Sequence, residues 1–338
     1  RCANYTRRAR GLSAENFSRV DVAPPCHARD GGANYRLGMT RVLLIFIDGL
    51  GIGTRGSHNP LALLGADASP LAAFEGEEAE LPFDGVLIPT DACLGVEGRP
   101  QSASGQTTIL TGTNAPAALG YHKQGFPNEA LREIINANSI FLQLKRAGVE
   151  PVTFANAYTP RFFNSRPRWV SATTTAVEAA GLPFRTLEDL RAGRAIFQDF
   201  TNGLLIASGF DVSPRTPAQA AEVLSHIVAE NRFTLYEYFI TDRVGHAQDE
   251  TAALAVLSNL ARFVRETLAR VRLDTTTVIL TSDHGNIEDL SLRNHTRNPV
   301  PTLAWGAGRE AVRSRVRDLA DITPTIFQIL TAREAAHA

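Results

Sequence analysis

The stretch RVLLIFIDGLGIG, from Arg41 to Gly53, is apolar without interruption from Val42 to Ile47 and then breaks at Asp48-Gly49. A strand with one wet face alternates apolar and polar residues, whereas a strand covered on both faces does not. The run therefore predicts a central strand of a parallel sheet that ends in an acidic turn. Working outward, shorter strands are expected at Val86 to Ile88, Val152 to Phe154, Leu235 to Ile240, Thr277 to Thr281 and Thr302 to Trp305. Helical patterns separate them at Ser139 to Ala147, Pro217 to Glu230 and about Glu250 to Val271. Strands alternating with helices imply an α/β fold, a three-layer α/β/α sandwich around a mostly parallel sheet.

The catalytic core of that sandwich is expected over 39–115 and 232–335. Between them, 116–231 has prolines, glycines and arginines interrupting shorter elements, which suggests a small inserted cap domain. Residues 1–38 lack apolar periodicity and read as a disordered extension ahead of Met39, the expected natural start, with a targeting peptide as the alternative.

The chain has 338 residues, 44% apolar and 20% charged, with a formal net charge of −1. That balance fits a globular protein and argues against nucleic acid or an anionic membrane as partner, since both select clustered positive charge. Lysine occurs only at Lys123 and Lys145, so arginine carries nearly all the basic charge. Cys2, Cys26 and Cys93 show no C-x-x-C spacing and leave one over, which supports neither a disulfide framework nor a thiolate metal site. No apolar run is long enough to span a membrane, and a cytoplasmic location is expected.

Four segments place acids, imidazoles or hydroxyls just after expected strands, where open α/β sheets bind ligands. FIDGLG carries Asp48, and RPQSASGQTTILTG carries Ser102, Ser104, Thr107 and Thr108. YFITDRVGHAQD holds Asp242 and His246 four apart, and ILTSDHGNIED with NHTRNPVP supplies Asp283, His284 and His295. Singly, each has a plain explanation: a turn aspartate, a loop histidine, a surface pair, a serine-rich loop. Jointly they put three aspartates and three histidines at one edge of a sheet, an inventory sized for two divalent metal ions. Mixed imidazole and carboxylate donors suit Zn2+ or Mn2+. Two such ions can activate an oxygen nucleophile and offset the charge of a transferring phosphoryl group.

FIDGLG, SDHGN, DxVGH and HTxNPVP resemble the metal motifs of the alkaline phosphatase superfamily, nearest to its branch of cofactor-independent phosphoglycerate mutases and phosphopentomutases. The resemblance spans about 260 residues and includes DITPTIFQIL, similar to the superfamily's terminal helix. It implies Asp242, His246 and His295 around one ion, Asp48, Asp283 and His284 around the other, and Ser102 as a metal-held nucleophile. In those mutases the nucleophile stands three residues before Gly-His; here the pair is Gly105-Gln106, which leaves Ser104 and Thr107 as alternatives. The implied activity is phosphoryl transfer through a phosphoserine, as a phosphomutase or phosphatase on a small phosphorylated substrate such as a phosphoglycerate or sugar phosphate. A nucleotide phosphodiesterase or pyrophosphatase is the alternative enzyme, and a catalytically silent metal-binding protein the alternative from another class.

Arg161, Arg166 and Arg168 in NAYTPRFFNSRPRW could grip a phosphate or carboxylate, or simply form a solvated basic face; Lys123 is a further candidate contact. Gly51-x-Gly53-x-x-Gly56 fits a dinucleotide fingerprint after a strand. Asn59-Pro60 falls where that motif needs a continuous helix, and proline would break it. A sulfatase would need C/S-x-P-x-R, which Ser102-Ala-Ser-Gly-Gln lacks.

Overall fold

The structure is a computed structural model and describes residues 39–332. The expected extension, 1–38, lies outside the described residues. The strands are β1 (Arg41–Ile47), β2 (Val86–Thr90), β3 (Val152–Phe154), β4 (Ala157–Tyr158), β5 (Arg185–Thr186), β6 (Phe233–Tyr238), β7 (Thr276–Ser282) and β8 (Val300–Gly306). Six of them form one sheet in the order β2-β8-β7-β1-β6-β3, and β4 pairs with β5 separately. β1 runs parallel to β6 and β7, and β3 parallel to β6; β8 alone is antiparallel to its neighbours β7 and β2. The fold is thus mixed α/β with a mostly parallel sheet, as the apolar run at 42–47 requires.

Both faces of the sheet are covered. Leu43, Ile45, Ile47, Tyr236, Val278, Leu280 and Trp305 pack under the helices Pro217–Glu230 and Glu250–Arg270. Val42, Leu44, Phe46, Phe233, Leu235, Ile279 and Ala304 pack under the helices Ser102–Thr111, Ile140–Arg146, Ala172–Ala179 and Ile322–Thr331. Leu43, Leu44, Ile45 and Ile47 are all at 0% exposure. At roughly 1.5–3 kcal/mol per fully buried aliphatic side chain, β1 anchors both halves of the core. Local signals set the helix ends: Thr216 and Gln219 form a capping box around Pro217, the first helical residue, and Asp249 accepts from the Ala252 N–H.

The structure corrects the expected extent of the inserted cap. Within 116–231, β3 is the edge strand of the main sheet, and the helices Ile140–Arg146, Ala172–Ala179 and Pro217–Glu230 build its two covering layers. β4, β5 and their short neighbouring helices form a separate small cluster, around Ala157, Leu187, Leu190, Ala195 and Leu205, and Leu131 packs in another with Ala103 and Ala115. The prolines and glycines misled because they punctuate short core elements here as well as loops. At the glycine-rich turn, no helix follows β1 directly; Asn59 caps a five-residue helix that begins at Pro60. That geometry is not a dinucleotide fold.

Candidate metal centre

Strand register brings the acids together. Ile47 of β1 pairs with Ser282 of β7 and Tyr238 of β6, so the three strands end level. Asp48 and Asp283 each follow a strand end directly, and Asp242 and His246 sit on the helix Ile240–Ala247 that leaves β6. Because β8 is antiparallel, its entry lies at this same edge, and His295 stands five residues before Val300. Gly49 sits at φ +74, and a Cβ there would lie 2.9 Å from Asp242 atoms. Only glycine lets β1 turn so close to the Asp242 helix.

The donor atoms converge. His284 Nε2 is 3.3 Å from Asp48 Oδ1, 3.6 Å from Asp283 Oδ2 and 3.0 Å from Ser102 Oγ. His295 Nε2 is 3.5 Å from Asp242 Oδ1 and 3.2 Å from His246 Nε2, which is 3.4 Å from Asp242 Oδ2. The His284 and His295 rings stack at 3.6 Å, so the two groups adjoin. His284 belongs with Asp48 and Asp283 and also with Asp242 and His295, in groups whose ligand atoms all lie within 4.8 Å. His295 Nδ1 donates to Pro100 O (2.9 Å) and His246 Nδ1 to Arg293 O (2.7 Å). A ring that donates from Nδ1 keeps the Nε2 lone pair for a cation, the arrangement metal-ligating histidines adopt. Asp48 Oδ1 and His284 Nδ1 are buried without a hydrogen-bond partner, and Asp48 Oδ1 is an acceptor that a cation would satisfy.

The electrostatics agree. Burial, reinforced by Asp242, holds Asp48 well above the usual carboxylate range, and burial with the Asp48 charge raises Asp283 to about 7. Burial acts upward on Asp242 too, yet His295, His284, Asn286 and His246 together bring it down to about 2. A carboxyl with a raised folded pKa binds more protons folded than unfolded between the two values, so stability falls as pH rises through that window. For Asp283 the window runs from 3.8 to about 7; Asp242 works in the opposite sense only below its ordinary 3.8. Protein stripped with a chelator should therefore melt lower at about pH 8 than at about pH 5.5, and added Mn2+ should recover more at the higher pH, where no protons compete. Thermal denaturation at the two pH values checks this; a metal-free melting temperature that rises with pH would contradict it.

The hydroxyls separate cleanly. Ser104 Oγ donates to Gln101 O and accepts from the Lys123 N–H, Thr107 donates to Ala103 O, and Thr108 donates to Ser104 O. Ser102, the first residue of its helix, meets His284 Nε2. Gln106 donates from Nε2 to Asp283 Oδ2 at 3.1 Å and so orients that carboxylate. Of the arginines, Arg166 is committed to Glu178 at 2.6 Å, Arg168 lies over the Trp169 ring, and Arg161 is exposed on a short helix. Lys123 Nζ donates to Gln124 O, beside the Ser102 turn.

Three residues escaped the sequence reading. Asn286 donates to Asp242 Oδ1 at 2.6 Å and ties the Asp283 loop to the Asp242 helix. Glu237 is buried on the same face of β6 as Phe233 and Leu235, accepts from the Thr173 hydroxyl, and is raised to about 8 by burial. An acid at the inward phase of FTLYEY was the readable signal for it. Glu288 is buried in the loop after β7.

Residues 204–334, which contain Asp242, His246, Asp283, His284 and His295, match the family model of the Metalloenzyme superfamily. The match covers less than half of the chain. Asp48 and Ser102 lie outside the matched segment and join it only in space. The 2,3-bisphosphoglycerate-independent phosphoglycerate mutase of Syntrophotalea carbinolica is 29% identical over 130 residues, which is 36% of this chain and 25% of the relative. That of Haloquadratum walsbyi is 25% identical over 162 residues, 44% of this chain and 32% of the relative. The chain thus matches less than a third of the length of these curated relatives. Among solved structures, the PH0037 protein from Pyrococcus horikoshii has a TM-score of 0.51 at 13% identity, covering 86% of this chain and 97% of that one, a likeness of fold. Alkaline phosphatase from the Antarctic bacterium TAB5 aligns over 86% of this chain and 98% of that one, with a TM-score of 0.46 at 14% identity. No described helix is long and apolar enough to cross a membrane.

Proposed function

We propose that this chain is a divalent-metal-dependent phosphoryl-transfer enzyme that works through Ser102 on a small phosphorylated metabolite, as a phosphomutase or a phosphatase. The observation that carries the reading is the approach of Ser102 Oγ to His284 Nε2 at 3.0 Å, at the rim of the buried cluster of aspartates and histidines. Asp48, Asp283 and His284 would hold one ion, Asp242, His246 and His295 a second, with Mn2+ and Zn2+ both suited to these donors. Ions bound there would lower the proton affinity of the serine oxygen and offset charge on the phosphoryl group.

Ser102 opens a ten-residue helix, whose N-terminal end favours an anion. Its Oγ, after losing its proton to solvent, forms a bond to phosphorus while the bond to the leaving oxygen breaks, and that oxygen takes up a proton. The phosphoserine is then attacked by water, giving a phosphatase, or by another hydroxyl of the retained product, giving a mutase. Gln106 and Asn286 keep Asp283 and Asp242 aimed during both steps. The relatives' printed activity supports the mutase outcome. Arg161, whose side chain is not committed to an acid, is the cap arginine best able to grip the rest of a substrate.

Purified protein loaded with Mn2+ or Zn2+ should hydrolyse p-nitrophenyl phosphate, and a chelator should abolish turnover. Parallel assays of phosphoglycerate and pentose phosphate isomerisation separate the two outcomes. Absence of metal-dependent turnover with every one of these esters would sink the proposal and leave the catalytically silent alternative.

A further inference from the structure

Glu288 is 1% exposed, and four donors face its carboxylate. Oε2 accepts from the backbone N–H groups of Gly51 (2.9 Å) and Asn286 (2.7 Å). Oε1 accepts from the Thr296 hydroxyl (2.5 Å) and the Asn298 amide (3.1 Å). A carboxylate offers about four acceptor sites, so this one is saturated by the four donors. The fit is close: a Cβ on Gly51 would stand 2.2 Å from Oε1.

The donors come from three segments, one after β1 and two within the connection from β7 to β8. Gly51 lies three residues after Asp48, Asn286 two after His284, and Thr296 directly after His295. Asn286 also donates to Asp242 Oδ1, which extends the connection to the fourth ligand-bearing segment. One buried carboxylate therefore spans the loops that deliver Asp48, Asp283, His284 and His295. Backbone bonds assist it: Thr296 N–H donates to Gly285 O at 3.0 Å, Ile287 N–H to Gly49 O at 3.1 Å and Ile52 N–H to Pro299 O at 2.7 Å.

We propose that Glu288 is the positioning residue of the metal centre, a clasp that fixes three ligand-bearing loops at the spacing a divalent ion requires. It touches neither substrate nor the reacting atoms; it acts through the backbone it holds. The proposal rests on the metal reading given above. Partners that orient metal ligands in this way typically change affinity by about 10–100-fold when replaced.

The test compares Glu288→Gln and Thr296→Val with wild type. Whichever way the Gln amide turns, its NH2 meets two groups that were donating to Glu288, whereas Thr296→Val removes one bond and keeps the carboxylate. The probe is Mn2+ alone, titrated against a competing fluorescent chelator, with the metal-free melting temperature and the amide resonances of Gly51 and Asn286 measured alongside. Glu288→Gln should bind Mn2+ about 10–100-fold more weakly, Thr296→Val should fall between it and wild type, and both amide resonances should shift in Glu288→Gln. Should Glu288→Gln not fold, Thr296→Val still reads the affinity. Lowered melting temperatures with wild-type Mn2+ affinity in the folded variants would mean a structural residue only and overturn the proposal. A wild-type protein that takes up neither Mn2+ nor Zn2+ would overturn the metal reading itself, and the clasp with it.

Discussion

Ser102→Ala should leave the fold and the metal content intact and remove turnover by at least about 10^4-fold in kcat, the scale seen when a covalent nucleophile is deleted. At 1.36 kcal/mol per decade this corresponds to about 5.5 kcal/mol of lost transition-state stabilisation. The reason lies in the hydroxyl inventory. Ser104, Thr107 and Thr108 all donate within their own helix or its entering turn, so none can replace Ser102 without breaking a local bond. Thr111 likewise donates to Thr107 O. The Ser102 side chain contributes little to packing, since it is half-buried at the helix start and, among the described residues, bonded only to His284. Single-turnover kinetics with p-nitrophenyl phosphate, together with mass spectrometry for a phosphorylated peptide containing residue 102, reads the step directly. Ser102→Ala with unchanged turnover would remove Ser102 from the mechanism. Loss of the phosphopeptide together with retained hydrolysis would replace covalent transfer by direct attack of water.

How much of this was legible in the sequence depends on the distance over which each feature is encoded. The continuous apolar run at 42–47 named a strand covered on both faces, and β1 lies inside the six-stranded sheet with both core clusters against it. Asp48, Asp283 and Asp242 were readable because each follows a strand closely, and parallel strands that end level bring such residues to one edge without further information. His295 was reached by a different route, since it precedes β8, which is antiparallel and enters the sheet from that edge. The role of the 116–231 stretch was not legible. β3 has only three residues, and its place beside β6 is set by pairing rather than by periodicity. Arg166 illustrates the same limit for charge: its partner Glu178 is twelve positions away on the helix Ala172–Ala179, and only the fold reveals that its guanidinium is already engaged. Glu288 is the extreme case. Its bonds reach from two residues away, at Asn286, to 237 away, at Gly51, and nothing in HGNIEDL distinguishes such an acid from an ordinary loop glutamate.

Replacing His284 should damage the centre far more than replacing His246, even though both were read from the sequence as ligands of equal standing. His284 is fully buried and belongs to both converging groups. His246 is more exposed, at 37% of its side chain, so water can fill the coordination place it leaves. His284→Ala would remove a donor shared by Asp48, Asp283 and Ser102, strip the ring that stacks on His295 at 3.6 Å, and leave two raised carboxyls without the imidazole beside them. Two carboxyls already pushed up by burial would then protonate rather than take up a cation. Metal content measured after dialysis against a buffered Mn2+ pool should fall by at least one equivalent in His284→Ala, with affinity weakened by more than the roughly 100-fold upper range of an outer partner. His246→Ala should keep its metal content at saturating Mn2+ and lose only affinity. Since His284→Ala opens a cavity in a buried site, at a cost of about 2–3 kcal/mol, His284→Asn serves as the control that fills most of the space, and the metal-free melting temperatures separate folding from binding. Equal metal loss in the His284 and His246 variants would show that the two histidines hold equivalent places. Full metal content in His284→Ala would place the ions elsewhere than between the ends of β1, β6 and β7.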